Sequence, residues 1–167
     1  MADTRVYRLV RAIINGYPVL SGLDEYNPPD IEKEMEEAKG GRFVAGEVFV
    51  GVKKGSASLK LMDVNSGILA SMGVSRSQSC EITVLGSVID EDGVELPLRW
   101  EHSGEVTSIK SDGVKPGKSS HTLEFSVKSY KHVDGVFVAY DIDERTQKCI
   151  VGGVDLLEAS RLNVGLF

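Results

Sequence analysis

The sequence predicts a mainly β domain with little helix. Three observations carry this. Runs of strand length alternate apolar and polar residues, which is the period-2 signature of half-buried strands. Asn-Gly and Asp-Gly pairs separate those runs, and both favour tight turns with positive φ. Glycine is abundant, 18 residues in 167, against a usual share of about 7%.

The first element is a hairpin. Val6–Ile14 is rich in Val, Ile and Tyr, Asn15-Gly16 turns the chain, and Tyr17–Leu20 returns. Pro18 cannot donate a ladder bond, so the return strand is short or lies at an edge. Asn27-Pro28-Pro29 then breaks the chain. Asp30–Lys39 reads two ways. As a helix it aligns Ile31, Met35 and Ala38. As a strand it sets Glu32, Glu34 and Glu36 on one face and Ile31, Lys33 and Met35 on the other. Glu, Lys and Met favour the helix by local propensity.

Gly40-Gly41 opens an irregular stretch, read as a long loop over about 40–55 with a strand inside it at Val48–Val52. Ser56–Met62 alternates Leu59 and Leu61 with polar residues and reads as a strand. Asn65-Ser66 is a plausible N-cap for a short helix over Gly67–Met72, with Gly73 at its C′ position. This is the one helix expected. Strands follow at Cys80–Ile89 and Val94–Glu101, joined by the turn cluster Asp90–Gly93. Val94, Leu96, Leu98 and Trp100 share a face, which makes Trp100 a core residue. Glu105–Lys110 extends that sheet past Gly104, and Ser111–Ser120 is a loop. In Thr122–Lys128, Leu123, Phe125 and Val127 face a core. Asp134-Gly135 turns the chain into Val136–Ile142, apolar on both faces, as expected of a strand between a core and a partner.

Length implies one domain, 1–167, and a chain this long buries roughly 70% of its unfolded surface without a disulfide or metal staple. The net charge of −6 argues against a general nucleic-acid-binding surface. No run of about 18 apolar residues exists, so no membrane anchor is expected. The N-terminal Met1–Arg8 lacks an apolar signal region, so the expectation is a protein made in the cytosol. Cys80 and Cys149 are 69 positions apart with no CxxC, and two reduced, partly buried thiols are expected. His102, His121 and His132 have no partners at metal-ligand spacing. No GxSxG, GxGxxG or P-loop pattern is present. The sequence therefore predicts neither a catalytic site, nor a metal, nor a cofactor. A carbohydrate-binding module would display exposed aromatics, yet aromatic residues are 7% with a single Trp.

The last third is more specific. Gly153-Val154-Asp155-Leu156-Leu157 runs on to Asn163-Val164-Gly165-Leu166-Phe167. This resembles the C-terminal signature of the major tail tube proteins of contractile-tailed phages, a Gly-Val-Asp-x-Leu segment followed by an Asn-x-Gly-Leu end. Phe125 through Asp143 resembles the same family's strand, Asp-Gly turn and strand. The hairpin at Asn15-Gly16, the acidic segment from Pro29 and Gly40-Gly41 fall in the family's order. Arg42–Gly55 matches no motif of the family, and one residue extends beyond the usual Gly-Leu end.

The resemblance implies a β-sandwich or partial barrel with one short helix. Six copies would form a ring, their inner sheets closing into one barrel, and the rings would stack into a tube within the virion tail, assembled in the host cytoplasm. The implied partners are the chain itself, the tail sheath protein, a tape measure protein inside the tube, and baseplate and tail terminator proteins. DNA would pass without specific binding. The tube of a phage-tail-like bacteriocin or secretion system is the nearest alternative. The family pattern also makes Pro29–Glu36 a strand of the channel-lining sheet, with Ile31 and Met35 toward the core and Glu32, Glu34 and Glu36 toward the lumen. Contacts between subunits or rings are expected at Val136, Val138 and Tyr140, by strand addition together with Val6–Ile14, and at Val164, Leu166 and Phe167 in the tail over about 160–167. The loop at 40–55 is expected to be mobile in the free subunit and ordered in the tube.

Overall fold

The computed structural model describes residues 4–19, 23–62 and 79–166. Strands dominate them. The elements are β1 (Val6–Ile14), β2 (Tyr17–Val19), β3 (Leu23–Asn27), β4 (Ile31–Ala38), β5 (Gly46–Lys54), β6 (Ser56–Met62), β7 (Cys80–Ile89), β8 (Glu95–Ser111), β9 (Ser120–Asp134), β10 (Phe137–Asp143), β11 (Lys148–Val151), β12 (Val154–Asp155) and α1 (Glu158–Asn163).

One ten-stranded sheet runs β12-β11-β10-β9-β8-β7-β1-β2, and β6 adds to β9 with β3 beyond it. Every pairing is antiparallel. The long β8–β9 hairpin is the shared spine. One half of β9 pairs with β10 and the other half, Ser120–Ser126, with β6. At that change the β8–β9 register shifts between Ser103 and Gly104 and again between Val106 and Ser108. Gly104 is required there, since a Cβ would lie 1.7 Å from the Ser126 carbonyl oxygen. The sheet thus folds over itself as an open sandwich: β1 and β3 touch but share no ladder.

The pleat explains the core. Two rows of paired residues cross the sheet on its inner face. One is Ala12, Val84, Trp100, His132 and Tyr140, and the next is Ile14, Ile82, His102, Tyr130, Ile142 and Cys149. Ala57, Leu59 and Leu61 of β6 and Leu123, Phe125 and Val127 of β9 close over them. The Asn15-Gly16 turn is as expected, both residues having positive φ, 47° and 84°, and β2 is an edge strand carrying Pro18. Both cysteines are free and buried, and burial raises both thiol pKa values.

The strand expected from Pro29 is present as β4, Ile31–Ala38, where pairing with β5 overrides the local helical propensity. Several other expectations are corrected. The strands β4 and β5 form a separate two-stranded sheet. Consequently Ile31 packs against the core, but Met35 is exposed. Most of the stretch 40–55 is β5, and only residues 39–45 form a loop. Val136 lies in the turn and is fully exposed; the strand starts at Phe137. Val94 precedes β8 and is exposed. The helix at Gly67–Met72 lies outside the described residues. A helix that the sequence did not announce, α1, stands at Glu158–Asn163, inside the stretch read only as a tail.

Candidate assembly surface

The outer face of the main sheet is polar because its residues alternate with the core rows. Thr83, Glu101, Lys131 and Asp141 form one row across four strands, and Ser103, Ser129 and Asp143 flank it. They line a shallow polar concavity of about 490 Å³. Among the described residues no group of His, Cys, Asp or Glu is arranged to hold a metal ion, and no helix is long and apolar enough to cross a membrane.

What the surface does offer is apolar side chains and unpaired edges. The β4–β5 arm joins the body at its base, where the Gly55 N–H donates to the Asp30 carbonyl at 2.7 Å. Lys54 Nζ there reaches Glu144 at 2.7 Å and the Lys128 carbonyl at 3.2 Å. The Lys54 ammonium lowers the Glu144 pKa, by hydrogen bond first and charge second. Met35, Val48, Phe49 and Val50 are exposed along the arm, and Phe43 and Val44 at its tip. Among the described residues the arm has two strands, each with an unpaired outer edge. Edges of eight and nine residues are templates for pairing with another chain.

The C-terminal segment is built on Asp155. Its Oδ1 accepts the Leu157 N–H at 3.1 Å. The same carboxylate takes both guanidinium nitrogens of Arg161, one at 3.4 Å and the other in a shorter contact. Arg161 also donates to the Gln147 carbonyl at 3.2 Å. The hydrogen bond from Arg161 holds the Asp155 carboxyl below its ordinary pKa. A six-residue helix is too short to be stable alone. This clamp fixes it, so the Gly-Val-Asp-x-Leu signature has a local structural reason. No α1 residue is buried, and Val154, Leu156, Leu162, Val164 and Leu166 are exposed around it.

The family described as phage tail tube protein FII matches residues 5–165. The chain belongs to that family. It is a structural protein of a tail tube. Solved structures of the same fold come from contractile particles. A chain of the anti-feeding prophage baseplate, determined with sixfold symmetrisation, is 14% identical with a TM-score of 0.55, over 81% of this chain and 95% of that one. A chain of the sheath/tube terminator of the PVC extracellular contractile injection system, in the extended state, is 13% identical with a TM-score of 0.56, over 75% and 93%. A chain of the PVC sheath-tube complex is also 13% identical, with a TM-score of 0.52, over 75% and 88%. No curated protein sequence matches the chain.

In the tube protein the expected site residues fall in distinct places. Glu32, Glu34 and Glu36 are exposed on β4. Lys53 stands opposite Glu32 in the register and lies 3.8 Å from Glu34. Val138 and Tyr140 are half-buried. Tyr140 stacks inward on Tyr130 and His132, at 6.0 and 6.4 Å between ring centroids. Both edges of β10 at Tyr140–Asp143 are already paired, with β9 and β11, so those residues have no edge to lend to a neighbour. Val164 and Leu166 are exposed, and Phe167 lies outside the described residues. Sequence reading missed the arm as the main exposed element. Its signal was present in the two turn-forming glycines, Gly40 and Gly41, both at positive φ.

Proposed function

We propose that the tube protein assembles as homohexameric rings that stack into the inner tube of a contractile phage tail and conduct DNA into the host. The carrying observation is a tail tube chain in which β4 and β5, an arm of two strands with unpaired outer edges among the described residues, carry a cluster of exposed apolar residues. The outer strands of the main sheet are shorter: β2 has three residues including Pro18, β12 has two, and β3 has five, with Asp24 and Glu25 exposed on it. Strand addition through the arm would extend the sheet from copy to copy and remove edges that otherwise invite uncontrolled pairing. The apolar C-terminal segment then serves contacts between subunits or rings. A sheath would surround the tube, baseplate and terminator proteins would meet its ends, and a tape measure protein would occupy it before DNA. Residues 39–45, without strand pairing in the subunit, become ordered on assembly. Static light scattering tests the self-association: mass should rise with concentration in steps of six chains.

The lumen reading assigns Glu32, Glu34 and Glu36 to the channel wall. With Lys53 included, each copy presents three carboxylates and one ammonium, so stacked rings remain acidic. DNA carries one charge per roughly 1.7 Å of duplex. A like-charged wall gives it no phosphate contact, and screening confines the repulsion to about 8–10 Å from the wall at physiological salt. A Glu32→Lys, Glu34→Lys, Glu36→Lys variant that still assembles should slow DNA ejection, more at low salt. Unchanged ejection kinetics would refute the lumen assignment.

A further inference from the structure

Two features of the body and the arm are unfilled and complementary. Where β1 and β3 touch without a ladder, the sandwich leaves a slot of about 230 Å³, walled by Tyr7, Leu23, Tyr26 and Trp100 together with the carboxylates Asp24 and Glu25. It is smaller than the roughly 300–1,000 Å³ of small-molecule pockets and suits a single side chain. Tyr26 and Trp100 fix its floor, with ring centroids 5.6 Å apart, and Tyr7 stands 6.4 Å from Trp100. Asp24 and Glu25 are both exposed. Asp24 is paired with Lys60 at 3.7 Å, and Glu25 accepts a hydrogen bond from the uncharged Asn27 amide, so the rim offers the net charge of one carboxylate, that of Glu25.

At the far end of the arm, Phe43 is fully exposed and Val44 nearly so. Lys39 and Arg42 flank them, and both are exposed. A free phenyl ring beside two cations is the counterpart of an aromatic slot with an acidic rim. Within one copy they cannot meet. The arm starts at Ile31, three residues after Pro28, which also lines the slot. Its eight-residue strand then carries the tip about 26 Å away at about 3.3 Å per residue.

We propose that Phe43 of one copy seats in the Tyr7–Tyr26–Trp100 slot of a second copy, with Arg42 of the first meeting Glu25 of the second. This rests on the self-assembly proposed above and names its contact. Ring edges meet ring faces in the slot, a favoured aromatic arrangement, and the guanidinium lies beside the same rings. Each copy has one tip and one slot, so the contact is heterologous and repeats around a closed ring or along a stack. Burying one phenyl side chain is worth roughly a 10- to 100-fold change in association.

The test places benzoylphenylalanine at position 43 and irradiates assembled tubes made from mixed isotope-labelled and unlabelled chains. Cross-links between copies, ending on Tyr7, Leu23, Tyr26 or Trp100, are expected. Cross-links within one copy, or to other residues of a neighbour, would overturn the proposal. If the probe itself prevents assembly, a charge exchange decides. Arg42→Glu should raise the concentration needed for assembly at least roughly 10-fold, and Glu25→Arg in the same chain should restore it. Assembly indifferent to Arg42→Glu, or not restored by the exchange, overturns the contact. Failure of the unaltered chain to assemble would instead refute the tube reading itself.

Discussion

The guanidinium of Arg161 closes on the carboxylate of Asp155, and that carboxylate also receives the Leu157 N–H. A turn, a helix start and a helix end are thereby tied through one side chain. The tie leaves Val164 and Leu166 exposed beside it. Deleting Val164–Phe167 removes the N–H groups that cap the end of α1, so it should fray that helix but leave the β-sheet circular dichroism signal and its cooperative unfolding in place while abolishing tube growth. Asp155→Asn should speed hydrogen exchange of Glu158–Asn163 and weaken growth without unfolding the sheet. Because the Asp155 pKa is lowered, its contribution is present above the ordinary carboxyl range and is lost only as pH falls through the lowered value. Normal tubes from the truncated chain would show that the tail serves only its own subunit.

Gly104 is the tightest point of the fold. A methyl group there would sit 1.7 Å from the Ser126 oxygen and 2.9 Å from its carbonyl carbon. Both are backbone atoms, so no side chain can swing aside. Gly104→Ala should therefore cost about 3 kcal/mol, at the upper end of overpacking effects, read as a fall in the urea midpoint. Gly113→Ala is the control: its Cβ would meet nothing within 4 Å, leaving only the smaller strain of positive φ.

His102 lies at 4% exposure between the two layers. Its Nε2 shares a hydrogen bond with Tyr26 Oη of β3, and its ring stacks on Tyr130 with centroids 5.0 Å apart. Burial lowers its pKa from 6.5 to about 4. The unfolded chain thus binds the extra proton first. Stability is complete above pH 6.5 and falls toward pH 4, by about 3 kcal/mol from this group at about 1.4 kcal/mol per unit. His132 is shifted downward too, by burial, and adds in the same direction. Urea midpoints at pH 7.5, 5.5 and 4.5 check this. His102→Phe should flatten the dependence while lowering stability at pH 7.5 through the lost Tyr26 bond.

The sheet was legible where turns and alternation agree. Asn15-Gly16 and Asp134-Gly135 turned where they were read, and Leu59, Leu61, Leu123, Phe125 and Val127 face the core. Alternation could not show which strands pair over long range. It therefore missed that β5 leaves for a separate arm, and that β9 divides its partners between β6 and β10. Val136 looked like strand because it is apolar, yet the turn at Gly135 extends through it. The helix α1 was hidden because its stability comes from Asp155 and Arg161, six residues apart, and not from an apolar periodicity. The slot at Tyr7 and Trp100 was hidden for a related reason: residues 93 apart in sequence form it, across strands that do not pair.

The central claim is that this chain closes into rings and stacks them. Negative-stain and cryo-electron microscopy of the purified chain at rising concentration test it most directly. Sixfold rings, then tubes with the β4–β5 arm bridging neighbouring copies, are expected. A chain that stays a monomer at high concentration, with no ring and no fibre, would contradict the account.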